Sequence, residues 1–161
     1  MKRFGDNMHK ILVTFLLLLP LAGCVSATSP LPVGLTASMA RPGAQLDQQE
    51  AIGLINQYRA ANNLPLLTLT QELTDTAATA AARYAQDGNN NGAAALVAER
   101  TNGSALFSAG YTNFAETFSG WRGSNRDAKT LLTPNATKAG IAVNYNANSS
   151  YGAHWVFIAS E

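Results

Sequence analysis

The apolar positions change their spacing three times along the chain. Between Ile11 and Leu19 they run almost unbroken, interrupted only by Thr14, behind a basic start of Lys2, Arg3 and Lys10 and ahead of the small residues Ala22 and Gly23. That layout is the one of a secretory signal, and the run falls well short of the roughly 20 apolar residues that a membrane helix needs. From Ala51 onward the spacing turns helical, with Ile52, Leu54, Ile55 and Tyr58 on one stripe. Asp47 and Glu50, just upstream, have the spacing of a capping box, and Asn62-Asn63 ends the helix. Leu64-Pro65-Leu66 forms an extended corner, because proline disfavours helix in the residue before it. A second helix opens at Thr70 and runs through Leu73, Ala77, Ala80, Ala81 and Tyr84 to Asp87-Gly88, its alanines predicting close packing on a neighbour. Gly88 to Gly92 is a turn or loop, Ala93 to Arg100 a short helix candidate. Asn113 to Arg122 is a further helix, with Phe114, Phe118 and Trp121 on one face. At the end the period becomes two: Ile141, Val143 and Tyr145 alternate with polar or small residues, Asn148 to Gly152 makes a turn, and Trp155-Val156-Phe157-Ile158 resumes an apolar run. This is a hairpin signature. Helices first and a hairpin last predict an α+β domain, with helices packed on a small sheet.

Between the signal and the first helix, Val25 to Gln45 is rich in Ser, Thr, Ala, Gly and Pro, including Pro30, Pro32 and Pro42. It reads as a flexible tether. Leu21-Ala22-Gly23-Cys24 resembles a bacterial lipobox, in which the cysteine sulfur receives a diacylglycerol and the preceding peptide bond is cut. The expected organisation is therefore a removed signal over 1–23, a lipidated Cys24 with its tether over 24–46, and one domain over 47–161. Each buried methylene contributes about 0.8 kcal/mol and two or more chains give stable attachment, so the expected partner is a membrane, reached through the lipid anchor. The expected location is the cell envelope, on the outer face of a membrane. Val25 after Cys24 resembles the enterobacterial sorting pattern that permits transfer to an outer membrane.

Composition narrows the chemistry. The chain carries 11 basic and 10 acidic residues. Removing the signal takes Lys2, Arg3, Lys10 and Asp6 from that count and leaves the mature protein near neutrality. No basic run tracks a phosphate backbone, so nucleic acid is not an expected partner. Cys24 is the only cysteine, which excludes an internal disulfide and, once lipidated, a thiol nucleophile. His9 leaves with the signal, so His154 is the only imidazole of the mature chain. A zinc site takes three or four histidine, cysteine or carboxylate ligands; no metal or other cofactor is expected. There is no Gly-x-Ser-x-Gly elbow and no phosphate-binding glycine loop with a lysine.

A series of short motifs carries a family resemblance over Asp47 to Ser160. Asn56-Gln57-Tyr58-Arg59 precedes Asn63-Leu64-Pro65-Leu66, and the alanine-rich stretch Ala77 to Ala85 follows. Next come Ser108-Ala109-Gly110-Tyr111 and Ala115-Glu116-x-Phe118-x-Gly120-Trp121-Arg122-x-Ser124, then Leu131-Leu132 and Ala139-Gly140-Ile141-Ala142-Val143. In order and spacing these resemble the CAP superfamily, or SCP domain, of cysteine-rich secretory, antigen 5 and pathogenesis-related proteins, in particular its short bacterial members. The resemblance implies an α-β-α sandwich with a mainly antiparallel sheet, and a pocket with two histidines and two acidic residues able to hold a divalent metal. Placed without gaps from Ala105 to Leu132, the family's glutamate falls on Ala105 and one histidine on Asp127. The other histidine has no counterpart between Gly88 and Gly103. A degenerate pocket is implied.

No residue is assigned a catalytic role. The candidate pocket residues are Glu116, as a surviving carboxylate or an ordinary helix glutamate; Asp127, as a replacement ligand for a hard cation or a loop or helix-cap residue; and His154, as a pocket imidazole or a structural residue at a strand edge. Two functions follow. One is a non-catalytic binding module for an envelope component, a small apolar ligand or a protein, with a groove beside the helices as the expected place. The alternative is an envelope hydrolase, which needs Glu116, Asp127 and His154 in one cleft within hydrogen-bond reach of a substrate. A spacer of the envelope is a third, structural reading.

Overall fold

The computed structural model describes residues 31–161. The signal and Cys24 lie outside the described residues. The elements run α1 (Val33–Thr36), α2 (Gln48–Ala61), β1 (Thr68–Leu69), α3 (Gln71–Asp87), α4 (Asn91–Arg100), β2 (Ser104–Ala109), α5 (Phe114–Gly123), α6 (Asn125–Leu131), β3 (Lys138–Tyr145) and β4 (Ala153–Ser160).

Each main helix starts where a side chain relieves its unpaired N–H groups. The Asp47 carboxylate accepts from Glu50 N at 2.9 Å to open α2, and Thr70 Oγ1 accepts from Leu73 N at 3.4 Å to open α3. Helix α3 stops at Gly88, whose φ of 68° is the left-handed cap conformation that glycine adopts without steric penalty. The four strands form one sheet in the order β1-β3-β4-β2. The hairpin pairs Ile141 with Phe157 and Val143 with Trp155, β2 adds antiparallel to β4, and the short β1 lies parallel to β3.

Because side chains alternate along a strand, this sheet has two apolar faces and a helical layer on each. Ile141, Trp155 and Phe157 turn toward α1, α2, α5 and α6, where Leu35, Ile52, Ile55, Phe114, Trp121 and Leu131 complete the larger core. Ala142, Val156 and Ile158 turn toward α3 and α4, where they meet Leu73, Ala77, Ala80, Ala81, Ala93 and Val97. The alanines of α3 let its backbone approach the sheet. Gly140 is required for the same reason: a Cβ there would overlap the backbone of Leu73 and Thr74. The result is the α-β-α layering that the resemblance implied.

Arg59 is fully buried. Its guanidinium donates to Pro65 O at 2.9 Å, Leu131 O at 2.8 Å, Thr133 O at 3.0 Å and Ala136 O at 2.9 Å. One side chain thus ties the proline corner to the segment between α6 and β3.

The structure departs from the sequence expectations in the N-terminal segment and in three short elements, one of them the two-residue β1. The segment expected to be a free tether up to residue 46 is part of the domain from Leu31. Leu35 is 2% and Met39 3% exposed, Met39 N donates to Thr112 O at 2.6 Å, and Ala37, Ala44 and Leu46 pack against the same core. Small residues and prolines dominate the composition of that stretch, but the two long apolar side chains, four residues apart, find a hydrophobic seat. Strand β2 has no counterpart among the expected elements, since its side chains are divided between the two cores and its sequence is mixed. Helix α6 has none either; it is short and begins on the Ser124 cap.

Candidate functional site

Glu116 stands in the first turn of α5. The Asn113 side chain accepts from Glu116 N at 3.0 Å, and the Glu116 carboxylate accepts in return from Thr112 N at 3.2 Å and Thr112 Oγ1 at 3.1 Å. The backbone N–H of Thr112, and then its hydroxyl, hold the carboxyl below the usual glutamate range. One of its oxygens, Oε2, is thus engaged at the start of the helix, as in a capping box. Asp127 has the same kind of place in α6. Its N–H donates to Ser124 Oγ at 3.3 Å and its Oδ1 accepts from Arg126 Nε at 3.2 Å, in an ion pair whose arginine is 92% exposed.

His154 is the second residue of β4 and is fully buried. Its Nδ1 lies 3.2 Å from Gly152 O, and its Nε2 lies 3.1 Å from Ser149 Oγ. A carbonyl only accepts, so the proton sits on Nδ1 and Nε2 accepts from the serine hydroxyl. Burial lowers the pKa and keeps the ring neutral. The Tyr84 ring meets it edge-on at 4.8 Å, on the α3 side. The next residue, Trp155, faces the opposite way: its ring is 6.1 Å from Phe114 and its Nε1 donates to Tyr111 O at 2.9 Å.

The sheet therefore separates His154 from the layer that carries Glu116 and Asp127. The three candidate pocket residues do not share a cleft, and each is engaged by its own neighbours. The Glu116 carboxylate serves the start of α5, the Asp127 carboxylate pairs with Arg126, and the imidazole ties the β3–β4 turn to the strand that follows. Among the described residues no group of three histidine, cysteine or acidic side chains is placed to hold a metal ion.

A mainly apolar concavity lies elsewhere, along the outer face of α2. Leu31, Pro32 and Leu35 from the N-terminal segment and Gly53, Leu54 and Gln57 from α2 line a cleft of about 340 Å³. A second cleft of about 240 Å³ shares Leu54 and Gln57 and continues to Tyr58, Phe118 and Arg122. The two clefts lie side by side on α2, between the N-terminal turn and α5, and are referred to jointly as the α2 groove. Its floor is open at Gly53, where a Cβ would meet nothing within 4 Å. At one end Arg122 lies over the Phe118 ring, 5.7 Å from its centroid, and Phe118 is held edge-on by Tyr58 at 5.9 Å. At the other end Glu50 Oε2 is buried without a hydrogen-bond partner, tucked beneath Gly34, where a Cβ would overlap it.

The sequence suggests a groove beside the helices but not its lining, because one wall reads as part of the tether and Leu54 and Tyr58 as part of the buried stripe of α2. The signal that could have found it was the set Leu31, Val33, Leu35 and Met39, which is too apolar for a solvated linker.

A family model of the cysteine-rich secretory protein family (CAP) matches residues 52–159, and the chain belongs to that family. Solved structures agree in fold. An outer surface protein from Borrelia burgdorferi superposes with a TM-score of 0.60 at 12% identity, over 70% of this chain and 90% of that one. An extracellular protein from Bacillus anthracis containing an SCP domain gives a TM-score of 0.57 at 17% identity, over 71% of this chain and 40% of that one. A cysteine-rich secretory protein from Staphylococcus aureus gives 0.52 at 12% identity, over 70% and 37% respectively. At these identities the likeness is one of fold. No curated protein sequence matches the chain.

Proposed function

We propose that the protein is an extracytoplasmic CAP-family lipoprotein, anchored through Cys24, that binds a small lipid-like ligand along α2 without chemical turnover. The observation that carries the binding reading is the groove itself. It lies at the lower end of the volume range of small-molecule sites, its walls are mainly apolar, and it has a guanidinium at one end. That distribution suits a ligand with an apolar body and a polar head. The anchor rests on the basic start, the apolar run and Leu21-Ala22-Gly23-Cys24. The outer surface and extracellular descriptions of two proteins of similar fold agree with export.

The hydrolase alternative needs Glu116, Asp127 and His154 in one cleft. The opposite faces of the sheet on which they lie argue against it, and no observation favours it over binding.

Gly53→Trp tests the groove. A side chain at 53 projects into open space, and any residue other than proline suits a helix interior better than glycine, by up to about 1 kcal/mol. The variant is expected to fold and to fill the site. A fluorescent fatty-acid probe should bind the wild-type protein saturably and bind Gly53→Trp at least about tenfold more weakly, a difference of about 1.4 kcal/mol. Equal binding by both proteins, or none by the wild type, would sink the groove reading. For the anchor, Cys24→Ser is expected to leave an uncleaved, unlipidated precursor on metabolic labelling with a fatty acid.

A further inference from the structure

Leu31 and Val33 are 45% and 81% exposed, and Pro32 between them is exposed as well. They form a short apolar projection at the entrance of the α2 groove, since Leu31 and Pro32 also line it. Directly behind them Leu35 and Met39 are buried in the core, so this projection cannot drift away from the domain. Cys24 precedes Leu31 by only about seven residues, a reach of at most about 25 Å at about 3.5 Å per residue. A compact domain of this size has a radius of gyration of about 14 Å and hence a diameter of about 36 Å. A chain of that reach holds the N-terminal corner within about 25 Å of the anchor, less than the diameter of the domain, and the α3–α4 layer lies on the opposite side of the sheet from that corner.

We propose that the α1–α2 corner, led by Leu31 and Val33, rests on the lipid bilayer that carries the anchor, with the entrance of the groove toward the lipid. This rests on the Cys24 anchor reading and deepens it: the domain has a defined membrane-facing side rather than free rotation on a long tether. The occupant of the patch is bilayer lipid. The patch is too small to hold a free domain on a membrane, but tethering raises its local concentration to the millimolar range, so a weak contact suffices. The charged side chains nearest in sequence, Arg41, Asp47 and Glu50, do not make a basic surface. The contact is apolar and does not depend on anionic headgroups.

Anchoring leaves the mature protein with no free thiol, so a cysteine introduced at 33 is its only labelling site. Full-length mature lipoprotein carrying Val33→Cys, labelled with an environment-sensitive fluorophore, is reconstituted in phosphatidylcholine vesicles. The control is Glu99→Cys on exposed α4. The label at 33 is expected to emit at shorter wavelength and to be quenched at least about threefold more by spin-labelled lipid than the label at 99. It should do so equally at about 0.1 and about 1 M salt, where exposed charges are screened within a few ångströms. Leu31→Asp in the labelled protein should return the emission toward that of water, which excludes insertion by the fluorophore alone. Protein that floats with the vesicles but shows the same aqueous signal at 33 and 99 overturns this proposal and leaves the anchor standing. Protein that does not float overturns the anchor, and this proposal with it.

Discussion

Arg59 shows how much of this fold hangs on single polar side chains. Its guanidinium satisfies four backbone carbonyls on the proline corner and the α6–β3 segment. Removing it leaves buried acceptors unpaired, at about 1–3 kcal/mol each. Arg59→Met is expected to destabilise the protein by at least about 3 kcal/mol in urea unfolding. Arg59→Lys should recover little, because an ammonium has three donors on one atom and lacks the planar fork. The asparagine and arginine of Asn56-Gln57-Tyr58-Arg59 were visible in the sequence as a family motif. Their work was not, since the carbonyls and N–H groups they meet lie as far away as Leu67 and Ala136.

His154 gives a pH dependence with a definite sign. Its folded pKa is lowered by burial, so the unfolded chain binds the proton more readily, and stability rises as pH rises toward the ordinary histidine value of about 6.5. The stabilisation is present above that value and is lost as pH falls below it toward the depressed folded pKa. Glu116 is a carboxyl with a lowered folded pKa; its contribution is present above the ordinary glutamate value and is lost at still lower pH. Urea midpoints between about pH 7 and about pH 5 therefore isolate the histidine. His154→Gln, which keeps a hydrogen-bonding side chain without the titration, should flatten that slope. An unchanged slope would mean that another group titrates there.

At the scale of elements, the N-terminal segment is the sharpest test of the structure. A flexible tether would tolerate any substitution, whereas core residues leave cavities. Leu35→Ala and Met39→Ala are each expected to cost about 2–5 kcal/mol, read as a drop in the urea midpoint. The contact of α3 with β3 makes a second case. Gly140→Ala places a methyl group on the backbone of Leu73 and Thr74. Since backbone gives way less readily than a side chain, the cost should exceed the usual range of about 1–3 kcal/mol for overpacking. Thermal unfolding with a midpoint close to wild type would contradict that packing.

Elements with a strong period were legible from sequence. Helices α2, α3 and α5 and the β3–β4 hairpin lie close to where the pattern places them, because each presents a continuous apolar stripe or alternation to one partner. Strands β1 and β2 and helix α6 were not. β1 is two residues long, β2 divides its side chains between two cores, and α6 is a brief stretch of helix set by its Ser124 cap. Such elements are decided by what they pair with rather than by their own pattern.

At the scale of the whole molecule, the sheet puts the buried His154 imidazole on one side and the Glu116 and Asp127 carboxylates, each in the first turn of its helix, on the other. A linear reading gathers these three residues naturally, because nothing in a sequence says which face of a strand a distant helix covers. The groove along the outer face of α2 and the exposed corner at Leu31 and Val33 lie on the carboxylate side of the sheet, and it is there that the proposed ligand and lipid contacts fall.

The sequence alone determined the signal-like start with its Cys24 lipobox pattern, the family motifs, the main helices and the terminal hairpin, together with the poverty of metal-binding donors. These are properties of local order and composition, which survive without knowing any long-range contact. Only the tertiary structure decided that the segment from Leu31 belongs to the domain, that Glu116, Asp127 and His154 lie apart, and that the groove runs along α2. Each of those depends on which side chains, far apart in the chain, are brought to the same face of the sheet.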